Sequence, residues 1–338
     1  MFSKLPLPGF AAPLVVRLAA LAAACFAAAA PAQQKFDVSV PWNATEFHSL
    51  NAQKFADRVK QATNGEVLLT IHTGSGLGVK ANDSLRALAD NVVPFAEYAM
   101  FQNTSRAPIL GLETLPFLVG NHDQLKVLHS FARPVWEGIL AKNNQKALYM
   151  VPWPSQNFFV NKPVTGNDSF KGMKMRSFDK LTSDWINRLG MTPVQLNNQD
   201  IVPALGSGML DGVPTSATTA AAQKFADFLK YGYNTNHLWA SNVMAVNIEV
   251  WNKLKPEHRA AIEKAAKELE PEFWEVSKAE HAKRVAELKE RGLNLVPAPA
   301  ALVDEMRKRT RPLWEEYSKP MGPEAQKIIA DFRAKVGG

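Results

Sequence analysis

Phe36-Asp-Val-Ser-Val-Pro41 alternates apolar and polar residues with the period of a strand. Over residues 45–61 the apolar positions Phe47, Leu50, Phe55 and Val59 fall at helical spacing, and Asn64-Gly65 supplies the turn that ends the helix. Residues 66–72 return to a strand, so the chain opens strand, helix, strand, as an α/β sheet does. Residues 83–91 predict a second helix and 92–98 a third strand, in which Pro94 predicts a sheet edge or a bulge. Further on, 124–141 predicts a helix, 147–153 and 158–162 strands, 181–189 an amphipathic helix with Trp185 and Ile186 inward, 192–196 a strand and 201–206 a short helix. The alternation restarts after about residue 155, which predicts two α/β lobes.

The pattern changes beyond Val243-Met-Ala-Val-Asn247. Lys255-Pro256-Glu257 opens a charged, alanine-rich helical stretch to about Arg291. Pro256 suits a first helical turn, whereas Pro271 predicts a break or kink near Leu269. Residues 301–319 and 322–336 add two helices, and no internal repeat or low-complexity linker interrupts the chain.

The N-terminus is a different kind of segment. Lys4 and Arg17 are its only charges, and the 13 apolar residues 18–30 end in Ala30-Pro31-Ala32. So short a run with a small-x-small site reads as a signal peptide cleaved near Ala32, exporting the protein to the periplasm. A membrane anchor and a lipoprotein start at Cys25, which has Ala22 three residues before it, are the rival readings. Cys25 is the sole cysteine, so cleavage leaves a chain without a disulfide or a thiolate metal site. Removing 32 of 338 residues leaves 306, and losing Lys4 and Arg17 takes the basic count from 39 to 37 against 32 acids, so +7 becomes +5. That excess is spread thinly, with no basic block, and nucleic acid is not expected as a partner.

Several catalytic signatures are missing. Gly74-Ser-Gly-Leu-Gly78 has no Gly-Lys-Ser/Thr after it and reads as a strand-to-helix turn. No His-x-x-x-His pair occurs, His122 and His129 being seven apart, so no metal site is expected. Gly206-Ser207-Gly208 lacks the spacing of a nucleophile elbow. The sequence therefore predicts neither an enzyme nor a cofactor. The informative stretch is Phe170-Lys-Gly-Met-Lys-Met-Arg-Ser-Phe178, where Arg176 sits among Met173, Met175 and Phe178 just past a glycine. Most arginines near strands are surface residues or halves of ion pairs. One buried among apolar neighbours needs a bidentate partner, and a carboxylate is the natural one. Aromatic residues also gather at strand ends: Trp42 and Phe47, Tyr98 and Phe101, Trp153 and Phe158, Phe178, and Trp239. Core packing explains any one of them, but ligands of open α/β sheets bind beyond those strand ends.

These features, in order, resemble the DctP-type solute receptors of tripartite ATP-independent periplasmic (TRAP) transporters. The resemblance runs through Phe55-x-x-x-Val59-x-x-x-Thr63-Asn-Gly65, Leu115-Pro-Phe-Leu118, Phe170 to Arg176, Gly208-Met-Leu-Asp-Gly212, Lys230-Tyr231 and Leu254-Lys-Pro-Glu257. It implies a two-lobed, periplasmic-binding-protein-like (Venus-flytrap) fold closing about a hinge, with a long lobe-spanning helix. It also implies chain crossings near residues 155, 241 and 282, so that lobe I comprises 33–155 plus 242–281 and lobe II 156–241 plus 282–338. By the same resemblance Arg176 forms the salt bridge to the substrate carboxylate, and the small and large TRAP membrane subunits are the partners of a monomeric receptor. A periplasmic sensor feeding a membrane kinase or chemoreceptor would use the same fold and pocket.

Two departures from the family pattern bear on the ligand. Where many acid-binding members carry a second arginine, this chain has Trp153-Pro-Ser-Gln-Asn157, and where Gln-Glu-Asn-Pro is common it has Val213-Pro-Thr-Ser-Ala-Thr-Thr219. The expected ligand is thus a monocarboxylate with a hydrophobic or aromatic part, such as a 2-oxo or 2-hydroxy acid. The expected ligand residues are Arg176, Phe178, Trp153, Asn157, Gln156, Thr215, Ser216, Phe47, Glu46, Tyr98 and Trp239.

Overall fold

The computed structural model describes residues 33–337. The signal-peptide expectation and Cys25 lie outside them. Strands β1 (Gln34–Ser39), β2 (Val67–His72), β3 (Phe95–Ala99) and β4 (Gln145–Pro152) begin one sheet. A second sheet takes β5 (Asn157–Val160), β6 (Lys174–Ser177), β7 (Thr192–Gln195), β8 (Gly212–Thr215) and β9 (Tyr231–Asn234). The chain then returns, so that β10 (Ser241–Asn247) completes the first sheet and β11 (Asn294–Pro297) the second. The spatial orders are β2-β1-β3-β10-β4 and β11-β9-β5-β8-β6-β7.

Among the helices are α1 (Phe47–Ala62), α2 (Ser84–Ala89), α3 (His122–Lys142), α4 (Lys180–Arg188), α5 (Ile201–Gly206) and α6 (Ala217–Ala222). The remainder are α7 (Ile248–Lys253), α8 (Pro256–Glu290), α9 (Ala300–Thr310), α10 (Leu313–Met321) and α11 (Pro323–Val336). α1 buries Phe47, Phe55 and Val59 as its spacing predicts, but Leu50 is 55% exposed because the inward stripe passes through Asn51 and Ala52 instead. Trp185 and Ile186 are buried on α4, as expected.

The Pro94 expectation is corrected, and the break expected near Leu269 does not occur. β3 is an interior strand between β1 and β10, and Pro94 stands one residue before it, where no ladder N–H is required. The irregularity lies instead in β10, between Met244 and Ala245. α8 runs unbroken through Pro271 for 35 residues. Tertiary bonds hold it across that point: Glu270 accepts from the Met150 N–H at 3.3 Å, and the Trp274 indole donates to the Met150 carbonyl at 2.8 Å. This helix packs on α1 and β4 of the first sheet and on α6 and β11 of the second.

Segments 153–156 and 235–240 connect the two sheets, and α8 makes a third link. The C-terminal tail, grouped on sequence with the second lobe, lies across both units. α9 packs on α4, while α11 packs on α3 beside the first sheet. One apolar core runs continuously from Phe47 and Trp153 to Phe158, Phe170 and Trp185. A smaller one, with Phe159, Leu205, Val213 and Phe225, fills the far side of the second sheet. Phe158 and Phe159 divide between the two because successive strand residues face opposite ways.

The Gly208-Met-Leu-Asp-Gly212 motif has a structural purpose. Asp211 accepts the Lys174 N–H at 2.9 Å and the Asn161 side-chain amide at 3.2 Å, which pins β6 and the end of β5 beside β8. A Cβ on Gly212 would stand 2.6 Å from the Phe159 carbonyl oxygen and 2.9 Å from the Met175 sulfur. Gly212→Ala is therefore expected to destabilise the protein by about 1–3 kcal/mol through overpacking, read as a lower midpoint in urea unfolding.

Candidate functional site

Gly172 turns the chain into β6 with φ +74°, a conformation that glycine adopts freely. β6 then lies between β7 and β8, with Lys174 exposed and Met175, Arg176 and Ser177 buried. Past Phe178 the chain turns into α4. Asp179 caps that helix, accepting from the Thr182 N–H at 2.7 Å, and the Thr182 hydroxyl lies 3.0 Å from the Asp179 N–H. The acid nearest Arg176 in sequence is thereby committed to a cap. Burial raises its carboxyl to about 6.

Arg176 is 5% exposed. Its Nε donates to the Leu196 carbonyl at 3.1 Å, and the guanidinium lies 5.0 Å from the centre of the Phe178 ring. Among the described residues it forms no salt bridge and its terminal nitrogens have no protein acceptor. Burial without a close anion lowers it to about 10, the nearby Asp179 opposing the shift, so it remains charged at neutral pH. Phe178 meets Phe101 of the other sheet edge to face, centroids 4.9 Å apart, which joins the two units over the site.

The opposite wall is two indoles. Trp42 and Trp153 pack at right angles, 5.0 Å apart. Each is fixed through its N–H: Trp42 donates to Glu97 at 3.1 Å and Trp153 to the Asn242 side-chain oxygen at 2.7 Å. Asn242 in turn donates to Glu97 at 2.7 Å, and His48 Nδ1 lies 2.9 Å from the same carboxylate. One fully buried carboxylate thus orients both rings from behind.

Between these walls lies a partly open cavity with about 370 Å³ of space free of protein atoms, its mouth included. Of the expected ligand residues, Arg176, Phe178, Trp153, Gln156 and Thr215 line it. Six do not. Tyr98 points away from it and donates to Gln145 at 2.6 Å, because in β3 the side chain directed toward the indoles belongs to its neighbour Glu97. Asn157 is spent on the chain crossing, its Oδ1 accepting the Thr235 N–H at 3.1 Å. Ser216 caps α6 by accepting from Thr219 N–H at 3.3 Å. Phe47 packs behind Trp153 at 5.3 Å. Glu46 lies beside Thr219 outside the cavity lining. Trp239 faces a separate hollow, while its neighbour Ala240 lines the cavity.

The cavity also includes Trp42, Phe101, Gln102, Asn198 and Thr219, none of them among the expected ligand residues. Trp42 and Phe101 belonged to the strand-end aromatics, and Thr219 to the hydroxyl-rich run after Gly212. Asn198 follows β7 and is held by Gln223, whose amide donates to its oxygen at 2.8 Å. The rule that ligands gather beyond strand ends would have reached it. Among the described residues no three His, Cys, Asp or Glu side chains converge as metal ligands would.

Residues 38–320 match the family described as "Bacterial extracellular solute-binding protein, family 7", DctP. The chain is a TRAP-type solute-binding protein. Relatives of this family cover it nearly end to end. The C4-dicarboxylate-binding periplasmic protein DctP of Rhodobacter capsulatus is 26% identical over 84% of both chains. A marine metagenome TRAP solute-binding protein crystallised with pyroglutamate is 28% identical, with a TM-score of 0.85 over 90% of this chain and 99% of that one. DctP7 of Bordetella pertussis, 24% identical, has the same fold with a TM-score of 0.86 over 89% and 99% of the two chains. The two sheets are thus the lobes of a periplasmic two-lobed receptor. Its family serves transport, not catalysis.

Glu46 of this TRAP receptor adds a pH dependence. Burial raises its carboxyl to about 7, against smaller lowering effects of the Thr219 side chain and Arg284. An acid raised by folding stabilises the fold fully below its ordinary value near 4.5, and that contribution is lost as pH rises toward 7. Glu46→Gln should flatten this dependence. The variant is expected to gain on the native protein between pH 4.5 and pH 8 by up to about 3 kcal/mol, read from paired thermal melts across that range.

Proposed function

We propose that this chain captures a small organic acid with one carboxylate and an apolar or aromatic body, and delivers it to TRAP membrane subunits. The observation that carries the reading is Arg176, buried and charged with both terminal nitrogens free of protein acceptors, in a cavity walled by Trp42, Trp153 and Phe178. A carboxylate meets both prongs of a guanidinium at once. Arg176 is the one cation among the residues lining the cavity, and Gln156 is neutral there, which favours a single carboxylate over two. The small size of the cavity favours a compact body. The metagenome relative, described as specific for pyroglutamate, handles a ligand of that kind.

The acid contacts both lobes in this closed form, with Arg176, Phe178 and Thr215 on one side and Trp42 and Phe101 on the other. A ligand that binds the closed form better than the open one shifts the population toward it, and the closed surface is what the membrane subunits would read.

A thermal-shift series on the mature protein with mono- and dicarboxylates, aromatic 2-oxo acids included, tests the proposal. Certain monocarboxylates are expected to raise the midpoint. Arg176→Ala should weaken their binding by about 2–5 kcal/mol. Arg176→Lys should also impair it, since an ammonium cannot reproduce the fork. A larger shift with dicarboxylates would overturn the single-carboxylate reading, and affinity unchanged in Arg176→Ala would move the site.

A further inference from the structure

Behind the hinge, on the side away from the acid cavity, lies a second and larger hollow of about 620 Å³, its open mouth included. Four parts of the chain meet there. Pro154 and Ser155 come from the first crossing, Asn234 at the end of β9 with Asn236 and Trp239 from the second crossing, Lys278 and His281 from α8, and Gly120 to His122 from the entry to α3. No carboxylate belongs to its lining.

Four buried polar atoms around it have no hydrogen-bond partner among the described residues: Trp239 Nε1, His122 Nε2, His281 Nδ1 and Asn234 Oδ1. Trp239 is only 4% exposed, and its indole N–H can donate but not accept. Leaving such a group unpaired costs about 1–3 kcal/mol, so four around one hollow point to an occupant. His122 packs edge-on against the Trp239 ring at 4.7 Å, which fixes the two rings relative to each other. Burial, then Lys278, His281 and Lys126, lowers the His122 imidazole to about 4, with only Glu275 opposing. That imidazole is therefore neutral near pH 7 and offers one N–H, while Lys278 is the cation of the lining.

We infer that this hollow is a binding site for a small oxyanion. Trp239, Lys278 and the two imidazoles supply donors to its oxygens, and a hydroxyl on the anion, as in hydrogen phosphate, can donate to Asn234 Oδ1. The site is separate from the acid cavity. Trp153 and Gln156 face one side of the first crossing and Pro154 and Ser155 the other; in the second crossing Ala240 and Trp239 divide the same way.

Calorimetric titration of the mature protein with inorganic phosphate, in buffer free of other oxyanions, tests the site. Phosphate is expected to bind, to bind equally well in Arg176→Ala, and to bind at least about tenfold more weakly in Lys278→Ala and Trp239→Phe. Lys278 is exposed, so its loss leaves the fold intact, and Trp239→Phe keeps an aromatic ring while deleting the N–H. No binding up to about 10 mM, which would leave the hollow to water, overturns the proposal. So does binding that Lys278→Ala and Trp239→Phe leave unchanged, whether or not Arg176→Ala abolishes it.

Discussion

A buried guanidinium without a carboxylate sets the terms for the rest of this structure. Taking an ion out of water costs several kcal/mol even after the protein relaxes around it. For Arg176 the protein returns one carbonyl contact and an aromatic face. The nearest acid in sequence is tied to the start of α4 and cannot take up the remaining donors. The closed form consequently carries a cost that a bound anion removes. Under the proposed function, that unfavourable charge would couple closure to capture.

The apolar side of the cavity depends on a second buried charge. Glu97 receives the Trp42 indole N–H and the Asn242 amide and lies against His48, while Asn242 holds Trp153. The two rings that would meet the body of a ligand are thus fixed through polar contacts behind them. Arg176 and Glu97 come from different lobes, with the indoles between them.

What could be read from the sequence follows the length of the signal behind each element. The long helices and the strands β1 to β4 of the first sheet were legible, and so was the burial of Arg176 among apolar neighbours in a short strand. Tyr98 and Trp239 were assigned to the ligand although their neighbours Glu97 and Ala240 occupy the relevant faces. A period of two makes any error of one residue complete. Ser216 and Asn157, expected at the ligand, are engaged in a cap and at the chain crossing, since a hydroxyl or an amide near a strand end serves equally as a cap or as a ligand. The four-residue strands β8 and β9 carry too little pattern to be recognised alone. Pro271 misled for the opposite reason: its local preference is strong, and the tertiary bonds that override it come from Met150, far away in sequence.

The position of β10 bears on how the protein reaches its native state. The strand pairs with β3 on one side and β4 on the other, yet it follows the strands β5–β9 of the second lobe in the chain. As the polypeptide emerges, the first lobe has a gap in the middle of its sheet, with two strand edges open to misplaced pairing. Only after strands β5–β9 of the second lobe have been made can the missing strand arrive. Contacts so distant in sequence slow folding, and the lobe that begins first must wait for most of the other before its sheet can close.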